Sequence, residues 1–100
     1  MEAMKKCWSV LTDDMNHCYI THLGVVHIHH VFNGSRKKAS EERGFLVPLH
    51  PTLHTWGPES VHMNPNKGLD LRLKQDCQRY YEKHYGTREE FIQEFGRSYL

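Results

Sequence analysis

The run Val25-Val26-His27-Ile28-His29-His30-Val31-Phe32 carries the strongest strand signal in the chain, and two adjacent histidines stand near its end. β-Branched residues fit the pleated, half-buried surface of a sheet. On a strand, successive side chains point to opposite faces. His29 and His30 therefore cannot do the same job. A twist or bulge at the strand end can bring both towards one site, but from different sides. One can then hold a metal while the other handles a proton. The chain has nine histidines. Three more follow at His50, His54 and His62, each next to an aliphatic residue. Neutral imidazoles ligate transition metals and titrate near neutral pH. The bland alternative is two half-buried strand histidines with hydrogen-bond partners. A one-metal hydrolase site is the sharper reading.

With 100 residues, one domain is expected over 1–100, with a modest core. Hydrophobic residues make up 38%, so the core is expected to need help from a bound metal or from a homodimer partner. A net charge of +1 excludes a chain that binds nucleic acid through its overall field and leaves only a local patch. Cys7, Cys18 and Cys77 are odd in number and widely spaced, which fits reduced thiols in a cytoplasm. The apolar stretch after Lys5-Lys6 is too short for a signal segment, and nothing approaches membrane-spanning length.

Three parts are expected: an arm over 1–16, a core over 17–64 and helices over 65–100. The arm has one short strand over Cys7–Leu11. Asn33-Gly34-Ser35 ends the first core strand, and the basic triplet Arg36-Lys37-Lys38 follows as a loop, blunted by Glu41 and Glu42. Ser40 caps a short helical turn that stops at Gly44. Phe45–Leu49 is a second strand, placed at an edge by Pro48. A short helix, with Pro51 in its first turn, carries His50 and His54 one turn apart. Leu69, Leu73, Cys77 and Tyr81 form a helical stripe that ends by Gly86. Thr87-Arg-Glu-Glu90 is a capping box for a last helix with Phe91, Ile92 and Phe95 on one face.

A strand ending in His-His, a second strand and a helix bearing His is the layout of a ββα-metal site. With Cys18-Tyr-Ile-Thr21, His27 to Gly34, Arg36 to Glu41, Gly44 to His50, His54, Val61 to Asn64, and the tail Phe91 to Leu100, the chain resembles the small HNH-type (His-Me finger) endonucleases of phages and prophages in gut bacteria. The resemblance implies an α+β fold with a ββα-metal core and two C-terminal helices. It implies DNA as the partner, a bacterial cytoplasm as the compartment, and one divalent metal ion (Mg²⁺, Mn²⁺, Ni²⁺ or Zn²⁺). It implies His30 as the general base and His29 and His54 as metal ligands, with His62 completing the set. Arg36 is the best placed side chain to hold the phosphate.

The sequence also departs from that family. Relatives carry two Cys pairs that bind a structural zinc. Here those positions hold Cys18 and Thr21, then His50 and Leu53, so Cys18 and His50 are the remnant of a four-ligand site. A Cys-rich structural zinc is not expected. The middle Asn of the pattern is replaced by Phe45, which leaves Asn33 and Asn64 as candidates to tether the loop. These losses support a second reading, a catalytically decayed module of the same fold that binds DNA or a partner. A His-rich metal-binding protein without a nucleic-acid role is a third.

Overall fold

Strand pairing starts inside the β-branched run and takes up only its middle. In the computed structural model, described for residues 7–100, β1 is His27–His30 and β2 is Leu46–Leu49. They pair antiparallel, with His27 opposite Leu49, His29 opposite Val47 and His30 opposite Leu46. The expected strands were longer. Val31 still donates its N–H to the Phe45 carbonyl at 3.0 Å, so contact outlasts the regular ladder by one residue. Pro48 lacks an N–H, but its carbonyl accepts from Tyr19 N–H at 2.8 Å. In a sheet of two described strands both are edges, and Pro48 is tolerated there.

A single 3₁₀ turn, Gly34–Arg36, leads into α1, Lys37–Arg43. The basic triplet therefore starts a helix rather than forming a loop, and Ser40 lies within that helix rather than at its cap. The reason is local. Ser40 is wholly buried, and its hydroxyl accepts from Phe32 N–H at 3.0 Å and donates to the Phe32 carbonyl at 2.7 Å. A hydroxyl can do both at once. It thus satisfies the backbone where β1 ends and pins α1 to the strand. Gly44 ends α1 with φ 76°, as a glycine stop requires.

Residues 1–6 of the expected arm lie outside the described residues. Cys7–Leu11 is not a strand. Val10 N–H reaches the Gly44 carbonyl at 2.8 Å, but Leu11 N–H turns back on Ser9 Oγ at 2.9 Å, which bends the segment out of extended pairing.

The C-terminal third holds α2, Gly68–His84, and α3, Arg88–Phe95. Leu73, Cys77 and Tyr81 are buried along one stripe of α2, as their spacing predicts. The Thr87 capping box is present in both directions: Oγ1 accepts from Glu90 N–H at 3.1 Å, and Glu90 Oε1 accepts from Thr87 N–H at 2.7 Å. Phe91 and Phe95 are buried, four residues apart on one face, while Ile92 is 38% exposed. One residue along a helix is about a 100° turn, which carries Ile92 off that face.

Phe32, Phe45, Tyr81, Phe91 and Phe95 form the centre of the core, with Phe32 and Phe95 rings 4.6 Å apart. The core thus grips β1 just beyond its histidines. Buried Gln78 ties down the tail: its Nε2 donates to Ser98 Oγ at 2.9 Å, and its Oε1 accepts from Tyr99 N–H at 2.7 Å. The architecture is α+β: a two-strand antiparallel sheet with helices around it. No helix among the described residues is long and apolar enough to cross a membrane.

Candidate metal centre

The period of β1 divides its histidines. His27 and His29 project to one face and His30 to the other. On the first face they meet His54 and His62, which come from the segment after β2. That segment does not form the expected α-helix. Thr52–Trp56 is one turn of π-helix, closed by Gly57 N–H on the Thr52 carbonyl at 2.9 Å. Such wide turns recur at functional sites. The chain then loops back. Val61 N–H bonds the Leu53 carbonyl at 2.8 Å and His62 N–H the His54 carbonyl at 3.2 Å, which sets His62 beside His54. Val61 is buried as the anchor of this return. Asn64 Nδ2 donates to the carbonyls of Pro58 and Ser60, at 2.7 and 2.9 Å, and ties the loop to itself.

Gly57 is required by space. A Cβ there would lie 2.3 Å from the Thr52 carbonyl oxygen, in the hydrogen bond that closes the π-turn. Gly57→Ala is expected to cost about 1–3 kcal/mol of stability, measured by urea denaturation, and to weaken metal affinity by displacing His54. Wild-type values for both would mean that the turn does not position the site.

His29, His54 and His62 each offer a nitrogen, and these atoms lie within 4.8 Å of one another, close enough to bind one metal ion. His54 Nε2 and His62 Nε2 are 3.0 Å apart. The other nitrogen of His54, Nδ1, lies 3.1 Å from His27 Nδ1, so His27 orients the ring from behind. Burial, then the nearby His54, His62, Lys74 and His30, push the His29 pKa down to about 3. Burial, then His62, His27 and His30, push His54 down to about 4. Both rings are neutral at pH 7, the form that ligates metals. His29 Nε2 is the one buried side-chain nitrogen or oxygen among the described residues without a hydrogen-bond partner. Leaving such an atom unsatisfied is costly, and metal-site histidines avoid the cost by using both ring nitrogens. The donor set and its burial fit a transition-metal ion.

On the other side of β1, His30 Nε2 lies 2.8 Å from Glu41 Oε2 on α1. His30 nonetheless shares a cleft with the cluster, lined by Ile28, His29, His30, Asn33, Gly34, Lys37, His54 and His62. Arg36 is not brought into it. Its Nη1 donates to the Glu94 carbonyl at 3.0 Å, because the 3₁₀ turn aims it at the C-terminal end of α3. The next residue, Lys37, lines the cleft instead.

Cys18 and His50 are neighbours but gather no third metal-ligating side chain among the described residues. Burial raises the Cys18 thiol, but hydrogen bonds from Thr21 and from the backbone of His50 and Ile20 outweigh it and leave its pKa below the ordinary value. His50 Nδ1 lies 2.9 Å from Thr52 Oγ1 and accepts from Thr52 N–H at 3.2 Å, so this ring serves the turn and not the cluster.

The sequence reading missed Glu41, Lys37 and Asp70. For the first two a signal existed: Lys37 and Glu41 are four apart, on one face of a helix that begins earlier than Ser40 suggests. No family model, curated protein or solved structure matches this chain.

Proposed function

We propose that the chain is a metal-dependent DNA endonuclease of the HNH, ββα-metal kind, which hydrolyses phosphodiester bonds with His30 as general base. One observation carries the reading. A histidine bound to a carboxylate stands in the same cleft as a three-histidine cluster, from the opposite face of one strand. Phosphodiester hydrolysis needs both a proton acceptor and a metal-ligand set within reach of one phosphate. With its Nε2–H donated to Glu41, His30 keeps the Nδ1 lone pair to take a proton from the attacking water. Glu41 fixes that tautomer and stabilises the imidazolium that results. His29, His54 and His62 would hold one divalent ion, which would supply charge stabilisation to the reacting phosphodiester. His27 keeps the His54 ring in register. Lys37 holds the phosphate as a point charge, the role that sequence reading gave to Arg36.

The test is supercoiled plasmid with Mg²⁺, Mn²⁺, Ni²⁺ or Zn²⁺. Nicked or linear DNA, lost on chelation, is expected. Intact plasmid with every metal and salt-sensitive binding would replace this reading with the decayed binding module. Phe45 favours that alternative: it stands in place of the middle Asn and is fully buried in the core, so no polar group occupies that position.

Lys37→Ala is expected to weaken DNA binding and to lower the slope of log K against log salt by about 1. Arg36→Ala should change that slope less and lower stability more. Equal slopes in Lys37→Ala and wild type would remove Lys37 from the phosphate contact.

A further inference from the structure

We propose that Asp70 on α2 is the positioning carboxylate of His29, accepting from its Nε2–H so that Nδ1 is left to bind metal. The inference rests on the metal centre of the proposed function, not on hydrolysis. Asp70 is only 4% exposed. Its Oδ2 accepts from Asn66 N–H at 2.6 Å and pairs with Lys74 Nζ at 2.9 Å. Lys74 also donates to Asn66 Oδ1 at 2.8 Å, which locks the carboxylate in place. These contacts are what the start of a helix needs, and they use one oxygen. The other, Oδ1, lies 3.9 Å from His29 Nε2, the buried nitrogen without a hydrogen-bond partner.

The contacts to Asn66 and Lys74 do not by themselves explain a carboxylate aimed at an unsatisfied imidazole. The gap is too long for a hydrogen bond, and a shift of about 1 Å closes it. A carboxylate behind a ligating histidine fixes its tautomer and ring angle and raises its basicity. His54 already has such support from His27; Asp70 gives it to His29. Asp70 is not among the side chains whose donor atoms cluster within 4.8 Å, so it acts through His29 and not as a ligand.

The test uses the full chain, with two readouts. Long-range ¹H–¹⁵N NMR of the metal-free protein reads the His29 tautomer. Competition with a chromophoric chelator reads Zn²⁺ affinity. Wild type is expected to carry the His29 proton on Nε2. Asp70→Asn and Asp70→Ser are each expected to lose that preference and to bind Zn²⁺ about 10–100-fold more weakly. A wild-type His29 proton on Nδ1 would overturn the proposal, and this reading needs no variant to fold. So would wild-type affinity in both variants. A changed coordination number in the optical spectrum of Co²⁺-loaded Asp70→Asn would overturn it too, making Asp70 a fourth ligand. Failure of the endonuclease reading looks different: plasmid stays intact while zinc binding and the tautomer behave as expected here.

Discussion

If the chain is the proposed endonuclease, His30→Ala is expected to lower DNA cleavage by about 10²–10⁴-fold and to leave divalent metal affinity at the wild-type value. The separation follows from the strand period. His30 projects away from His29 and spends its Nε2 on Glu41 rather than on the cluster. Its side chain is 20% exposed and outside the aromatic core, so the fold should survive the truncation. His29→Ala and His54→Ala should do the reverse, lowering metal affinity first and activity as a consequence. Glu41→Gln should fall between, because the tautomer loses its anchor while the base remains. Plasmid cleavage at saturating metal, paired with titration calorimetry on each variant, measures both quantities. If His30→Ala loses metal binding as fully as His29→Ala, the roles of the two histidines are reversed.

The sequence made the fold legible where local signals agree. The α2 stripe and the Thr87 capping box hold because periodicity, caps and glycine stops point the same way at those residues. Strand ends were less legible, since Val25 and Val26 have the propensity of a strand but no strand partner among the described residues. Ser40 misled for a physical reason. The same hydroxyl that can cap a helix can clasp a strand end, and only the position of Phe32 decides. The metal cluster could be proposed from His29, His54 and His62. Which carboxylate faces which histidine was not legible. Glu41 and Asp70 lie 11 and 41 residues from the histidines they face. No period or motif spacing joins them; the packing of α1 and α2 against β1 does. Arg36 and Lys37 show the finest limit. Neighbours in sequence, they diverge because a 3₁₀ turn gives way to an α-helix between them.

Acid should unfold the metal-free protein early, and His29 should be the main cause. Its pKa is about 3 in the fold against an ordinary 6.5, which the unfolded chain regains. Between those values the unfolded state binds a proton that the folded state refuses. Stability therefore falls as pH drops from 6.5 towards 3, by about 1.4 kcal/mol per pH unit inside the window. His54, with its pKa lowered to about 4, adds in the same direction. Above pH 6.5 neither group contributes, since both states are neutral there. Urea denaturation at pH 7, 6, 5 and 4 gives the slope, and His29→Gln, which cannot titrate, should flatten it. A wild-type slope in His29→Gln would show that the burial of this ring does not govern acid stability. Zn²⁺ should steepen the dependence. Bound by the imidazoles, it should stabilise the folded state at pH 7, and protons should compete it away on the same descent. A core this small should thus be most stable with metal and near neutral pH, where the His29 and His54 rings are neutral.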